Sequence, residues 1–333
     1  MAEFIEQTEA EQGFAQHWDR FVKPNFDHYQ QHYYRYLALA LGGFVAAAAM
    51  FFIGAGFLLG GEGSNDTSLK IATLVLLGLC CGGGYLGYVP LKRLTDASGN
   101  QLAQALNAHF KSWITPIADT SSLKDSGEYL QQEGLTTAGS VKISSAYEGE
   151  TKGTPYLFYN CRYTSRRSNG NNSSTTVVTY LIIHLKLNAE MPSAIRIKVD
   201  QGIMNIFGRI FTRKKNLRLA NKAFEKRYEV YCDDLDHAAS VITPELQDSF
   251  VGMHQYFATG ERWFHKKSEI SCLIEDDEMI LCFSGLDDLT GFKLAGRSPK
   301  KIVDAAHTAI RQMTQIPFIV ENMREVVPQL HHR

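Results

Sequence analysis

Two uncharged hydrophobic runs lie close together near the N-terminus of this 333-residue chain. The first covers residues 37–59, and the second covers residues 71–89 and is followed directly by Pro90. At a rise of about 1.5 Å per residue, the first run makes a helix about 34 Å long, enough to cross a hydrocarbon core of about 30 Å. A segment in lipid must satisfy its own backbone groups, which a helix does. The runs therefore predict a transmembrane helical hairpin over residues 37–90. Two buried helices of a soluble protein are the disfavoured alternative.

Small residues are common in both runs. They include Gly42, Gly43, Gly54, Gly78 and the three glycines at 82–84. Small side chains let helices approach closely in lipid, where close packing favours helix association. We therefore expect the two helices to pack on each other or on a partner.

Positive charges flank the pair of runs at their outer ends. The flanking residues are Arg20, Lys23, Arg35, Lys92 and Arg93, whereas the loop between the runs holds Lys70 with Glu62 and Asp66. Because Lys and Arg favour the cytoplasmic side, this bias predicts a multi-pass protein of the cell inner membrane with both termini in the cytoplasm. The residues before the first run are rich in acidic and aromatic side chains, unlike the basic start of a cleaved signal peptide.

The runs divide the chain into three predicted parts. These are an N-terminal cytoplasmic arm at 1–36, the hairpin at 37–90 and a cytoplasmic domain at 95–333. In the arm, an apolar helical face is interrupted by Pro24; its residues are Phe14, Trp18, Phe21 and Val22. This face can pack on the distal domain or lie on the membrane surface. Packing is favoured, because few basic residues flank the face.

The domain at 95–333 is rich in strand-like segments bounded by turn-forming residues. Such segments cover residues 140–149, 155–165, 175–187, 194–200, 226–233, 269–275 and 278–285. Residues 150–154 predict a tight turn, residues 166–174 a polar loop, and Asp276-Asp277 a hairpin turn. Consecutive strands joined by short turns pair antiparallel, so the predicted class is α+β, with a mainly antiparallel sheet and flanking helices.

Two helix starts in this domain carry a cap followed by proline. Thr243 and Pro244 predict a helix that runs to about Phe257, and Ser298 and Pro299 predict a final helix through about Gln315. In the final helix an apolar face is expected to point inward, and Pro317 is expected to kink any continuation. That face consists of Ile302, Ala306, Ala309 and Met313.

Charge and cysteine content exclude several functions. The formal net charge of -1, from 34 basic and 35 acidic residues, gives no overall attraction to nucleic acid, and no nucleic-acid-binding motif is found. The six cysteines lack C-x-x-C spacing, so a structural zinc site is not predicted and reduced, mostly buried thiols are. No phosphate loop, G-x-S-x-G or H-E-x-x-H motif occurs, and no cofactor is expected.

The strongest local charge lies at residues 202–227, where basic and apolar side chains alternate. We predict that its basic residues contact anionic lipid headgroups, where each one near the surface contributes about 1 kcal/mol. The predicted lipid contacts are Arg209, Arg213, Lys214, Lys215 and Arg218. The competing interpretation is a solvated loop whose charge is compensated by nearby acids.

Those acids form a cluster after a predicted strand. The cluster consists of Asp233, Asp234, Asp236 and His237. Paired carboxylates can act as acid and base or bind a metal. Acids after a strand are more often part of a turn and a helix cap, which is the favoured interpretation here.

The same region carries a family resemblance. Phe224, Tyr228, Val230 and Tyr231 fill the strand positions of a motif that continues through the acidic turn to Ile242, Thr243, Pro244 and Leu246 at a helix start. In this pattern the chain resembles the bacterial membrane-protein family called domain of unknown function 3137. The resemblance implies a two-span membrane protein and no catalytic residue. It also implies a LemA-type membrane protein as a partner, because genes for the two types tend to be neighbours.

These observations favour a non-enzymatic inner-membrane protein whose cytoplasmic domain binds or scaffolds a partner. The expected partners are membrane lipid, a LemA-type membrane protein or a second copy of the chain. The alternative is a membrane-anchored, hydrolase-like enzyme that uses the acidic turn. Transport is disfavoured, since neither run carries a charged residue.

Overall fold

Helices near both ends of the chain flank a block of antiparallel strands, and this confirms the predicted α+β class. The computed structural model describes residues 3–59, 67–169, 172–199, 215–259, 269–284 and 298–327. The chain divides into two units: unit 1 is Met1–His109 with Phe292–Ile310, and unit 2 is Phe110–Gly291 with Arg311–Arg333. Residues 95–109 and 292–310 of the predicted 95–333 domain thus fall in unit 1, and the domain boundaries themselves stay a prediction.

The described part of unit 1 is helical. A 3-10 turn at Glu9–Glu11 leads into α1 (Phe14–His17), a π-helical turn at Trp18–Val22, α2 (Lys23–Leu59), α3 (Thr67–Phe110) and the first part of α8 (Pro299–Val326). The first hydrophobic run forms the second half of α2, and the second run lies within α3. Residues 60–66 of the predicted connecting loop lie outside the described residues. Among the residues that the structure describes, no helix is both long enough and apolar enough to cross a membrane.

Helices α2 and α3 approach each other most closely at two buried glycines. A Cβ atom added to Gly87 would lie 2.5 Å from the backbone nitrogen of Ala40 and 2.9 Å from the carbonyl oxygen of Tyr36. A Cβ on Gly84 would lie 3.3 Å from the backbone nitrogen of Phe44. Only glycine leaves room for such backbone proximity. The prediction that small residues let the two helices pack on each other is confirmed at this contact.

The interruption predicted at Pro24 is wrong, and the final helix is longer than predicted. Pro24 is the second residue of α2, Pro90 lies inside α3, and Pro317 lies inside α8, which runs on to Val326 rather than ending at about Gln315. Proline removes one helical hydrogen bond, but tertiary packing of a buried face supplies most of the stability of a helix in a protein. Buried residues follow two of these prolines: Leu91 in α3 and Val320 in α8.

The apolar face of the N-terminal arm packs inside unit 1. Phe14, Trp18 and Val22 are each fully buried, which confirms packing over a position on the membrane surface. The ring of Phe4 contacts Phe14 at 4.8 Å between centroids. The arm is therefore part of a folded core.

A buried carboxylate fastens the arm to α8 within unit 1. The Oε1 atom of Glu11 lies 2.7 Å from Nδ1 of His307, and both side chains are buried. The Oε2 atom of Glu11 accepts hydrogen bonds from the backbone N–H groups of Gln7 and Thr8, at 2.5 and 3.2 Å. The ring of Phe4 stacks on His307 at 4.3 Å. The Glu11 side chain thus joins two segments of unit 1, the N-terminal arm and α8.

Unit 2 is built on a seven-stranded antiparallel sheet. Its strands are β1 (Ile114–Pro116), β2 (Ser140–Thr151), β3 (Thr154–Asn169), β4 (Asn172–Val199), β5 (Lys215–Leu217), β6 (Tyr228–Cys232) and β7 (Ile270–Ser284). Its helices are α4 (Ser121–Gln132), α5 (Lys222–Glu225), α6 (Leu235–Val241), α7 (Pro244–Thr259) and the second part of α8. The strand order is β1-β2-β3-β4-β6-β5, and β7 also pairs with β4.

Two predicted strand breaks are absent. The segments at 175–187 and 194–200 belong to the single strand β4, apart from residue 200, which lies outside the described residues. The segments on either side of Asp276-Asp277 form the continuous strand β7, so the predicted hairpin is wrong. The two long strands pair along their length, with register shifts between Lys186 and Ile195. Asp276 takes a positive φ of 51° beside this irregularity. The irregular pairing accommodates Asp276 and Asp277 within one strand, so the chain does not reverse direction there.

The predicted turn at 150–154 is confirmed. Lys152 and Gly153 form the turn between β2 and β3, with φ angles of 46° and 74°, and Thr151 pairs with Thr154. Positive φ at both central residues matches the twist of the flanking strands. The predicted loop at 166–174 is largely strand, since β3 and β4 pair up to Asn169 and Asn172.

Helix α4 covers one face of this sheet. Leu123 and Leu130 of the helix pack with Tyr159, Ile182 and Cys282 in one buried cluster. The Tyr163 hydroxyl donates to the carbonyl of Gly127 at 2.8 Å. The inward-facing residues predicted for the final helix are also buried; they are Ile302, Ala306, Ala309 and Met313. The face of the sheet under α4 is the one that carries the site described next.

Candidate functional site

An open groove of about 660 Å³ lies beside α4 in unit 2. Its lining comes from β1, β2, β3, β4, β7, the first turn of α4 and the segments on either side of β1. Much of it is apolar, including Trp113, Ile114, Leu123, Tyr156, Leu157 and Leu185. Two polar residues of the lining, His184 on β4 and Glu278 on β7, are neighbours across the strand pair. We call this cavity the His184 groove.

His184 is the centre of a polar network. Its Nε2 atom lies 3.2 Å from the Tyr159 hydroxyl and 3.4 Å from the Ser126 hydroxyl, and these two hydroxyls are 3.0 Å apart. On the other side of the ring, Nδ1 lies 3.6 Å from Oε2 of Glu278. The imidazole therefore joins a helix hydroxyl to a strand carboxylate.

These polar groups occupy positions where the fold otherwise places apolar residues. On β4, Tyr180 and Ile182 belong to the core under α4, and His184 is the next residue on that face. On α4, Ser126 lies between the buried Leu123 and Leu130 at helical spacing. Polar groups in a core lower stability unless they are paired, so their presence on adjoining elements is a signal of function.

Electrostatics fix the ionisation of two groups in the network. The hydrogen bond to His184 lowers the pKa of Glu278, and Lys186 at 3.7 Å adds to this effect. Lys186 itself is held by Asp277 at 2.7 Å. Burial raises the pKa of Tyr159, so its hydroxyl keeps its proton. The network thus pairs an ionised carboxylate with a protonated phenol.

Sequence reasoning did not identify this network. Ser126 and His184 are 58 residues apart, and Glu278 lies further along the chain, so no local spacing connects them. The one available signal was a histidine within the apolar strand segment at 180–187. Tertiary structure is required to bring the three elements together.

Most of the predicted lipid contacts lie outside the described residues. This applies to Arg209, Arg213 and Lys214. Lys215 begins β5, and its side chain is likewise outside the description. Arg218 is exposed directly after that strand. Of the five predicted lipid contacts, Arg218 is therefore the one whose side chain the structure describes, and it lies on the surface.

The acidic turn has the contacts of a helix cap. Asp234 accepts hydrogen bonds from the backbone N–H groups of Asp236 and His237, each at 3.0 Å, and begins α6. Asp233 and Asp236 are exposed, and His237 is half-buried. Thr243 similarly accepts from the backbone N–H of Leu246 at 3.3 Å. Capping accounts for the acidic turn without a catalytic role.

The family motif consists of packing and capping residues. Phe224, Tyr228 and Val230 are buried, and Pro244 is the first residue of α7. The described cysteines are free thiols, and all of them except Cys81 are buried. Among the residues that the structure describes, no group of three or more His, Cys, Asp or Glu side chains is arranged to hold a metal ion.

Comparison with known proteins supports the family resemblance. The family model described as "Protein of unknown function (DUF3137)" matches residues 179–324, which confirms the resemblance predicted from the motif. No curated protein matches the chain. Among solved structures, the chain is similar to the crystal structure of the mycobacterial trehalose monomycolate transport factor A, TtfA. That match has 11% sequence identity and a TM-score of 0.29, and it covers 69% of this chain and 96% of that chain.

Proposed function

We propose that this chain is an inner-membrane protein in which α2 and α3 form a lipid-embedded hairpin that anchors a binding domain. The observation that carries the proposal is the distribution of side chains on the helix pair. Large apolar residues of both helices are exposed, and they include Leu39, Phe44, Val45, Phe52, Leu74 and Leu86. The close contact between the helices is made instead by small residues, Gly84, Gly87 and Ala40.

This distribution is the reverse of the pattern in a water-soluble helix pair. Burying apolar surface stabilises a protein by about 25 cal/mol per Å², so a soluble pair places its large side chains inside. In lipid the outer face is already apolar, and helices associate through small residues that permit close packing. Phe52 is 74% exposed and Leu86 is 73% exposed, which suits contact with acyl chains.

Orientation in the membrane is part of the same proposal. The basic residues Arg20, Lys23 and Arg35 before the first run and Lys92 and Arg93 after the second favour a cytoplasmic location for both termini. The binding domain then faces the cytoplasm. A reporter enzyme that is active only outside the cytoplasm should be silent when it is fused to the C-terminus, and activity of this fusion would overturn the orientation.

The His184 groove is the binding site that we propose for this domain. Its volume of about 660 Å³ and its lining of apolar and charged side chains resemble the sites in which proteins hold small ligands or anchor side chains of a partner. Candidate partners are those predicted from the sequence, a membrane lipid or a LemA-type membrane protein. The family itself offers no assigned activity.

The basic segment supplies the test of lipid contact. We expect the full chain with Arg209, Arg213, Lys214, Lys215 and Arg218 all changed to Gln to dissociate more readily from anionic surfaces than the wild type. Because each basic residue near such a surface contributes about 1 kcal/mol, binding should weaken by at least about 100-fold. The measurement is co-sedimentation of detergent-solubilised protein with vesicles that contain phosphatidylserine.

The matched control changes five basic residues elsewhere in the chain. These are Lys124, Lys142, Arg162, Lys300 and Lys301, all of which except the half-buried Arg162 are exposed. The control variant should bind anionic vesicles as the wild type does. Neither the control variant nor the wild type should bind neutral vesicles. If the two variants lose binding equally, the loss comes from the change in net charge alone, and the proposed lipid contact at residues 209–218 is wrong.

A further inference from the structure

Three polar side chains from α4, β4 and β7 meet at the His184 groove in the order that acyl-transfer enzymes use. The hydroxyl of Ser126 lies 3.4 Å from Nε2 of His184, and Nδ1 of His184 lies 3.6 Å from Glu278. We infer that Ser126, His184 and Glu278 form a hydrolytic site for a carboxylic ester whose apolar acyl group occupies the groove. This deepens the binding role proposed for the His184 groove, on which it rests, and it does not depend on the membrane anchor.

The arrangement satisfies the geometric requirements of nucleophilic catalysis. A serine needs a base within reach of its hydroxyl, and that base needs a third group to orient it. Here His184 is the base and Glu278 is the orienting group. The two distances are longer than ideal hydrogen bonds, as is common before substrate binds, because such contacts shorten in the complex.

The reaction balances with water as the sole co-reactant. Ser126 Oγ attacks the ester carbonyl carbon while its proton passes to Nε2 of His184, and Nδ1–H of His184 donates to Glu278. The tetrahedral intermediate breaks its bond to the alcohol oxygen, which takes the proton from His184. Water then attacks the acyl-serine, its proton passes through His184 to Ser126 Oγ, and the carboxylic acid leaves.

Access to the groove is consistent with this chemistry. His184 and Glu278 line the groove, and so do Ser122 and Leu123, one turn before Ser126 on the same face of α4. Ser126 is half-buried rather than sealed in the core. The groove therefore reaches His184 and Glu278 directly, and Ser126 lies one turn beyond the part of α4 that lines it.

The substrate class follows from the lining. The lining combines apolar side chains, Trp113, Leu157 and Leu185 among them, with charged ones such as Lys111 and Glu148. The apolar part suits the hydrocarbon chain of an acyl group. Trp113 is 47% exposed and gives the groove an apolar rim. We therefore expect activity to increase as the acyl chain lengthens from acetyl to octanoyl.

Tyr159 is a positioning residue in this site. Its hydroxyl touches both Ser126, at 3.0 Å, and His184, at 3.2 Å, while its ring is fully buried. It can hold the serine hydroxyl next to the imidazole without meeting the substrate. Tyr159→Phe should lower kcat more than it changes KM, because it disturbs alignment and leaves the groove lining unchanged.

The test uses the full chain in detergent with p-nitrophenyl esters and a fluorophosphonate probe that modifies activated serines. We expect hydrolysis by the wild type, and we expect peptide mapping to place the probe on Ser126. Ser126→Ala should abolish labelling and lower hydrolysis by at least about 100-fold. Ser121→Ala, which alters an exposed serine of α4 that does not line the groove, should retain both activities.

The test of the hydrolytic site does not depend on the Ser126→Ala variant alone. Thermal denaturation of Ser126→Ala should match the wild type, because alanine fits at a core-facing helix position. If that variant unfolds, the probe map on the wild-type protein still decides the question. Absence of turnover and labelling in the wild type would overturn the site. Labelling at another serine, or hydrolysis that survives Ser126→Ala in a folded protein, would also overturn it.

Discussion

Gly87→Ala should destabilise the helix pair of unit 1 by about 3 kcal/mol, although it adds a single methyl group. The new Cβ would lie 2.5 Å from the backbone nitrogen of Ala40 and 2.9 Å from the carbonyl of Tyr36. Backbone atoms cannot rotate away as a flexible side chain can, so α2 and α3 must separate. Thermal unfolding of the purified full chain in detergent measures the effect.

A neighbouring glycine provides the matched control. A Cβ added at Gly82 would meet no heavy atom within 4 Å, apart from the helix's own backbone and its chain neighbours. Gly82→Ala should leave stability unchanged or raise it by up to about 1 kcal/mol, since alanine favours helix over glycine. If both variants unfold at the same temperature as the wild type, the close contact at Gly87 does not stabilise the protein.

Glu11→Ala is expected to cost about 3 kcal/mol of unfolding free energy, the second large effect. The substitution removes the acceptor that faces His307 at 2.7 Å and the acceptor for two backbone N–H groups. These groups would stay partly or fully buried without their partner, and the desolvation penalty then counts in full. Chemical denaturation followed by tryptophan fluorescence would report it, because Trp18 lies in the same buried cluster.

Glu9 serves as the comparison for this effect. It lies in the same 3-10 turn as Glu11 and is exposed. Glu9→Ala should therefore change the unfolding free energy by less than about 0.5 kcal/mol. Equal stability of the two variants would mean that the Glu11–His307 contact adds nothing to the fold.

Local patterns in the sequence predicted the features that depend on a few neighbouring residues. The turn at Lys152 and Gly153 and the cap at Thr243 were both predicted, because each depends on the residue types at two or three adjacent positions. The α+β class followed from the composition of the strands. The family motif was found for the same reason, since its residues lie along one strand and one helix start.

Features that depend on distant contacts were not predictable in this way. Strand β7 continues through Asp276 because β4 pairs with it on both sides of the irregularity, and no residue near Asp276 carries that information. Helices α3 and α8 pass through Pro90 and Pro317 with buried residues on both sides of each proline. In these elements, strand pairing and the packing of buried side chains outweigh the local preference of Asp for turns and of Pro for helix ends.

The candidate site illustrates the same limit. The absence of catalytic motifs at short spacing favoured a non-enzymatic protein, and the cluster of acids in one turn suggested the hydrolase alternative there. Asp234 in that turn serves as a cap. Ser126, His184 and Glu278 meet only after α4 has packed against β4 and β7.

The central claim is that α2 and α3 lie in lipid, and the native thiol of Cys81 tests it most directly. Cys81 is exposed on α3 within the second hydrophobic run, whereas the other described cysteines are buried. In intact membranes that carry the Cys80→Ala protein, a charged maleimide should fail to react with Cys81 until detergent is added. In the same background, Lys124→Cys on α4 should supply a water-exposed thiol for comparison once the vesicles are inverted. Rapid labelling of Cys81 by the charged reagent in intact vesicles of both orientations would contradict the proposed anchor.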